Sequence, residues 1–147
     1  MSGHPIARTG SLLILLAWAL CASAGATQPT PRVHPMPGWP KDEAFDGTLA
    51  EVGERLFVER GCVRCHTIGH GRKVGPDLAG VTGRDGPAWV IAMMLDPAEM
   101  RAHDLRAMGL KRSYHANMAN RHLTPDEARA IAEYFLGKDR GLLPERR

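Results

Sequence analysis

The segment Cys62-Val63-Arg64-Cys65-His66 constrains this chain more than any other feature. Two cysteines that are separated by two residues and followed at once by a histidine are typical of covalent c-type haem attachment. Each thiol adds across one vinyl group of the porphyrin, and the adjacent imidazole is held under the iron as its proximal ligand. The segment therefore predicts one haem c, with its iron, bound covalently through Cys62 and Cys65 and ligated by His66.

Two other uses of a Cys-x-x-Cys pair remain as weaker alternatives. A structural zinc site needs further ligands, usually a second cysteine pair or paired histidines. The third cysteine, Cys21, lies in a segment that we expect to be removed. A redox dithiol of this spacing is typical of chains with a βαβ pattern, and no strand pattern is visible here.

The first 26 residues have the features of an export signal. Arg8 precedes an apolar run over residues 12–20, and the small residues 24–26 fit a cleavage site. Because the apolar run is short for a membrane span, we predict a cleaved signal peptide at residues 1–26 and a mature protein in the bacterial periplasm. An uncleaved segment would instead anchor the chain in the membrane, which is the only membrane association expected.

The remaining chain divides into three parts. Residues 27–45 hold five of the 11 prolines, so they are predicted to form an extended linker. Residues 46–140 form the one domain that 147 residues allow, and residues 141–147 are predicted to be a flexible charged tail. The formal net charge of +3 is modest, and no basic run is interleaved with aromatic residues, so no nucleic-acid partner is expected.

Apolar residues recur at helical spacing in three places and no segment alternates like a strand, so the predicted class is all-α. The predicted helices cover residues 48–60, 87–95 and 124–137, and a shorter helical piece is expected around Leu105. The third helix has the clearest start, because a capping box with proline at the first helical position opens it.

Glycines suggest where the chain turns or packs closely. Gly53 interrupts the first predicted helix at a cost of roughly 1 kcal/mol relative to alanine, so this position is either locally slack or a site where another helix approaches closely. Gly137 is expected to end the third helix. Six glycines between residues 67 and 86 predict a loop, without helix or strand, that wraps around a flat group.

Taken in order, these segments resemble class I cytochrome c over residues 47–137. The shared order is a first helix, the Cys-x-x-Cys-His segment, Gly75-Pro76-Asp77-Leu78, a middle helix, a methionine loop and a last helix. The resemblance implies a cytochrome c fold with three main helices around one haem. It also implies that the Pro76 carbonyl accepts the imidazole N–H of His66 and that Met118 is the sixth ligand of the iron. At Gly53, it implies that the first and last helices cross closely against Tyr134 or Phe135.

The sixth ligand has competitors within the chain. Ala119 follows Met118 where the family often has proline, so the loop is expected to be less rigid. A methionine at helical spacing more often fills a core, and a histidine ligand would give a lower reduction potential than methionine. The alternative ligands are Met93, Met94, Met100, Met108, His115 and His122.

The resemblance implies an electron-transfer protein that carries one electron and is not an enzyme. With both axial positions filled, no substrate needs to bind the iron. A haem enzyme or gas sensor with a labile sixth ligand, and a haem subunit of a larger oxidoreductase, are the alternatives. Residues 101–121, here called the Met-side basic segment, hold five Lys or Arg and one acid. We expect this segment to dock an acidic redox partner, with a merely solvated surface as the alternative.

Overall fold

The computed structural model describes residues 44–143, and within them the chain is helical and contains no strand. The predicted signal peptide, residues 27–43 of the predicted linker and residues 144–147 of the predicted tail lie outside the described residues. The helices are α1 (Gly47–Glu59), α2 (Val81–Asp85), α3 (Pro87–Leu95), α4 (Pro97–His103), α5 (Leu105–Tyr114) and α6 (Pro125–Asp139), with a 3-10 turn at Cys62–Arg64. The predicted all-α class is confirmed.

Local caps determine where the two longest helices begin. The Asp46 carboxylate accepts the backbone N–H of Leu49 at 2.9 Å at the start of α1. At the start of α6, the Thr124 hydroxyl accepts the N–H of Glu127, and the Glu127 carboxylate accepts the N–H of Thr124. Each cap satisfies backbone donors that would otherwise lack a partner within the helix. The capping box that the sequence predicted for the last helix is therefore confirmed.

The helices α1 and α6 cross closely at Gly53, as predicted, and they share the most extensive helix–helix contact among the described elements. A side chain at Gly53 would overlap the backbone of Ala130. The predicted partners at this glycine, Tyr134 and Phe135, were wrong, because those rings instead pack on Phe57 with centroids 6.0 and 5.5 Å away. The crossing point lies one turn of α1 before the aromatic cluster.

A short helix forms where a loop without helix was predicted. Its N-terminus is held by the carboxylate of Asp139, which accepts the N–H groups of Gly80 and Thr82 at 2.6 and 2.9 Å. The same carboxylate accepts the Thr82 hydroxyl at 2.6 Å. The prediction for residues 81–85 was wrong because the group that stabilises α2 comes from the far end of the chain.

The helical piece expected around Leu105 is part of a pair, α4 and α5, joined at Asp104. The Asp104 carboxylate accepts the N–H of Ala107 at 2.8 Å, which caps α5, and the indole N–H of Trp89 at 3.1 Å, which ties α5 to α3. One side chain therefore both starts a helix and orients it against its neighbour.

The prediction that Gly137 ends the last helix was wrong, because α6 continues to Asp139. Gly137 is buried, and a Cβ at this position would lie 2.8 Å from side-chain atoms of both Phe45 and Leu143. This glycine therefore makes room for two apolar side chains that pack onto α6.

None of the helices within residues 44–143 has the length and hydropathy needed to cross a bilayer.

Candidate functional site

A deep, mainly apolar cleft lies between the Cys-x-x-Cys-His segment, the loop that follows it, and the helices α3 and α5. Its empty space is about 1240 Å³, including the solvent at its mouth. The structure brings together every residue that the sequence predicted for this site. Cys62, Cys65, His66, Pro76 and Met118 all line the same cleft.

The two cysteines are presented by a tight turn at the end of α1. Gly61 has a φ of 72°, in the left-handed region that glycine adopts without strain, and it ends the helix there. The N–H groups of Cys65 and His66 then both donate to the carbonyl of Cys62, at 3.1 and 3.0 Å. The turn thus keeps Cys62, Cys65 and His66 close together at the wall of the cleft.

The thiols of Cys62 and Cys65 are partly buried at the wall of the cleft. Both cysteines are unpaired. Burial raises the pKa of Cys62, although the nearby Arg121 guanidinium opposes this shift. Within residues 44–143, no group of three or more His, Cys, Asp or Glu side chains is arranged to hold a metal ion.

The imidazole of His66 is held in one tautomer. Its Nδ1 lies 2.9 Å from the carbonyl oxygen of Pro76, and because a carbonyl can only accept, Nδ1 carries the proton and donates it. Burial lowers the pKa of His66, and the hydrogen bond to Pro76 opposes that shift in part. The neutral ring therefore has an unprotonated Nε2, which is the form that ligates iron.

Gly75 allows the backbone to lie directly against this ring. A Cβ at Gly75 would lie 2.5 Å from Cε1 and 3.1 Å from Nε2 of His66. Any larger residue would push the imidazole out of position. The sequence placed Gly75 beside Pro76 in a recognisable motif, and the structure supplies the steric reason for it.

Asp77 organises the loop that carries Pro76, a role that the sequence analysis did not assign. Its carboxylate accepts the N–H groups of Gly69 and Ala79 at 2.8 Å, that of Gly71 at 2.5 Å, and the Thr67 hydroxyl at 3.0 Å. Burial alone would raise the pKa of Asp77, but these hydrogen bonds outweigh it and lower the pKa to about 2. An aspartate in a glycine-rich stretch is a general signal for such side-chain-to-backbone bonding.

The same cleft is also lined by Met118 and two of its competitors. Met118 is half-buried, and its backbone carbonyl accepts a hydrogen bond from Nη1 of Arg101 at 3.0 Å. Met93 and Met94 also line the cleft, and Met94 is part of the buried core. The other alternative ligands, Met100, Met108, His115 and His122, are not among the residues that line it.

The cleft wall carries a net positive charge. The Asp85 carboxylate, only 6% exposed, accepts Nε of Arg106 at 2.8 Å and Nε of Arg84 at 3.1 Å. Arg101, Lys111 and Arg121 also line the cleft, and among the described residues that line it Asp85 is the one acid. Such a wall suits a flat apolar group that bears carboxylates, as haem does. Part of the Met-side basic segment therefore faces the cleft.

The comparisons with known proteins cover the same region. A family model for cytochrome c matches residues 50–137. Among solved structures, the chain is similar to cytochrome c from Rhodothermus marinus, with 34% identity and a TM-score of 0.64. That match covers 67% of this chain and 83% of the other.

Two structures of an engineered form of the Rhodothermus marinus cytochrome c are similar to a comparable degree. One, called Rma TDE, is 34% identical, with a TM-score of 0.63 and coverage of 67% of this chain and 84% of that one. The other is Rma TDE bound to a carbene intermediate, with 35% identity, a TM-score of 0.60 and coverage of 67% and 83%.

Proposed function

Because the chain belongs to the cytochrome c family, we propose that it is a periplasmic one-electron carrier whose haem iron has His66 and Met118 as axial ligands. Members of this family bind haem c covalently and use it for electron transfer. Cys62 and Cys65 have the spacing that the two thioether bonds require.

One observation carries the ligand assignment. His66 and Met118 lie far apart in the sequence but line a single cleft together with both cysteines. The hydrogen bond from His66 to Pro76 leaves Nε2 free for the iron. A thioether on the other side is the second donor type that occurs in electron-carrying cytochromes.

The residues of the cleft would control the reduction potential through the environment that they give the haem. Haem iron supplies the one-electron exchange between its ferric and ferrous states. The apolar walls exclude water and thereby disfavour the more highly charged ferric state, and a methionine ligand acts in the same direction. The hydrogen bond from Nδ1 to the Pro76 carbonyl would hold the His66 ring in place in either state.

The periplasmic location is supported by the sequence of residues 1–26. The redox partner is proposed to carry an acidic surface, since Lys111 and Arg112 of the Met-side basic segment are exposed on α5. Docking of this kind weakens with salt, because the charges are screened. Electron-transfer rates that do not change between low and high ionic strength would contradict this part of the proposal.

The ligand assignment is tested by the optical spectrum of the ferric protein, which shows a weak long-wavelength sulfur-to-iron band when methionine is a ligand. The variants Met118→Leu, Met93→Leu and Met94→Leu each remove one sulfur with little change in side-chain volume. We expect the band in the unmodified protein, its loss in Met118→Leu and its retention in the other two. Loss of the band only in Met93→Leu or Met94→Leu would reassign the ligand.

A second function, a gas sensor or haem enzyme with a labile sixth ligand, is favoured by one feature. Residues 116–123 form no helix or strand, and none of the backbone–backbone hydrogen bonds described for residues 44–143 involves them. Rapid binding of carbon monoxide to the unmodified ferrous protein would support this function over the carrier. Slow binding, limited by loss of methionine, would support the carrier.

A further inference from the structure

The loop that carries Met118 has little support of its own. Residues 116–123 make no backbone–backbone hydrogen bond among those described for residues 44–143. His115 and His122, which bracket most of this stretch, both have a φ of 52°, in the left-handed region that residues other than glycine rarely adopt. The position of the Met118 side chain must therefore depend on contacts with the rest of the fold.

Among residues 44–143, two side-chain hydrogen bonds connect this loop to the rest of the fold, and Met118 and Leu123 also pack against the apolar core. Nη1 of Arg101 donates to the carbonyl of Met118 at 3.0 Å. Nδ2 of Asn120 donates to the carbonyl of Leu95 at the longer distance of 3.4 Å, and its Oδ1 accepts the nearby N–H of His122. Arg101 therefore provides the shorter connection, it acts on Met118 itself, and its charge strengthens the hydrogen bond.

Arg101 is presented from a well-anchored helix. The Asp96 carboxylate caps α4 by accepting the N–H of Glu99 at 3.0 Å, and Pro97 at the first helical position is fully buried. Arg101 is itself half-buried and lines the cleft. No ion pair of Arg101 occurs within residues 44–143, so its guanidinium is not drawn away from the loop by a described carboxylate.

We propose that Arg101 is a positioning residue for the sixth ligand: its hydrogen bond to the Met118 carbonyl keeps the thioether at the iron and determines how readily another ligand displaces it. This inference rests on the proposed ligation by His66 and Met118. It assigns Arg101 a role distinct from docking, although this residue belongs to the Met-side basic segment.

The test compares Arg101→Gln and Arg101→Lys with the unmodified holoprotein. Arg101→Gln removes the charge and shortens the side chain, whereas Arg101→Lys keeps the charge but loses the planar guanidinium. Arg55→Gln is the matched control, because Arg55 is exposed on α1 and belongs to none of the described hydrogen bonds or ion pairs. The readouts are the sulfur-to-iron band, the rate of carbon monoxide binding to the ferrous protein and the affinity of the ferric protein for imidazole.

We expect Arg101→Gln to bind carbon monoxide and imidazole about tenfold more readily and to have a weaker band, since a charge-assisted hydrogen bond is lost. Arg101→Lys should lie between Arg101→Gln and the unmodified protein, and Arg55→Gln should match the latter. If circular dichroism shows that Arg101→Gln fails to fold, Arg101→Lys provides the test. It should then have a weaker band and bind carbon monoxide and imidazole more readily than the unmodified protein.

Two results would overturn the inference while leaving the proposed function intact. In the first, the unmodified protein shows the sulfur-to-iron band, and the Arg101 variants match Arg55→Gln in band intensity and in ligand binding. The other is a changed reduction potential with an unchanged band and unchanged ligand binding, which would mean that Arg101 acts only through its charge. A wild-type protein without the band would instead contradict the proposed ligation itself, and the inference with it.

Discussion

The guanidinium of Arg72 lies over the aromatic ring of Tyr114, with its central carbon 4.2 Å from the ring centroid. Nη2 of Arg72 also donates to the carbonyl of Ser113 at 2.9 Å. Arg72 belongs to the loop that follows His66, and Tyr114 ends the helix that precedes the Met118 loop. The pair therefore joins the two walls of the cleft that carry the proposed axial ligands.

A double-mutant cycle with Arg72→Gln and Tyr114→Leu should reveal this contact. We expect a coupling free energy of about 0.5–1 kcal/mol in denaturant unfolding, as is usual for an exposed cation–π pair. The hydrogen bond from Arg72 to the Ser113 carbonyl does not need the Tyr114 ring, so the cycle isolates the stacking. The control cycle pairs Arg55→Gln with Tyr114→Leu and should be additive. Additivity in both cycles would show that the stacking contributes nothing to stability.

Replacement of Gly53 by alanine should destabilise the fold by about 1–3 kcal/mol, the usual range for overpacking. A Cβ at this position would lie 1.9 Å from the carbonyl oxygen of Ala130, so α1 and α6 would have to move apart. The matched control is Gly83→Ala in α2, where an added Cβ meets no atom within 4 Å. That change should stabilise the protein by about 0.4–1 kcal/mol. Equal unfolding free energies for the two variants would contradict the steric explanation.

Replacement of Asp77 by asparagine should destabilise the protein near neutral pH, because a carboxylate with several backbone partners becomes an amide that accepts fewer hydrogen bonds. The pKa of Asp77 is about 2 in the folded protein, below its ordinary value of 3.8. The contribution of the carboxylate is therefore fully present above about pH 4 and is lost as the pH falls towards 2.

The measurement is thermal unfolding of both proteins across this pH range, with haem absorbance and circular dichroism as probes. The difference in stability between wild type and Asp77→Asn should shrink as the pH falls from about 4 to 2. Glu51→Gln, at an exposed position on α1, controls for the loss of one negative charge. If wild type and Asp77→Asn differ in stability by the same amount at every pH, the ionised carboxylate of Asp77 does not organise the loop.

Replacement of both Cys62 and Cys65 by alanine should abolish covalent haem attachment. The single variants Cys62→Ala and Cys65→Ala should each retain one thioether. The check is the mass of the denatured protein, combined with haem staining of a denaturing gel. Cys21→Ala should leave the attached haem unchanged, since this residue lies outside the Cys-x-x-Cys-His segment. Haem that stays bound to the denatured double variant would disprove attachment at these two sites.

Features that depend on neighbouring residues were predictable from the sequence. The Cys-x-x-Cys-His segment specifies its chemistry by spacing alone, and one capping box, the prolines and the apolar periodicity located α1, α3 and α6 to within a few residues. Such signals act over one or two helical turns, so the local sequence contains all the atoms that they need. The order of these segments was enough to identify the family resemblance.

The tertiary structure alone decided the features whose partners come from distant parts of the chain. Asp139 caps α2 across the fold, Gly53 meets the backbone of Ala130, and Arg101 reaches the carbonyl of Met118. The local sequence does not name these partners, because they are brought there only when the helices pack. Gly53 indicated a close helix approach but not that the backbone of Ala130 lies against it. For the same reason the sequence named several methionines and histidines for the sixth position, and only the folded chain shows which of them line the cleft.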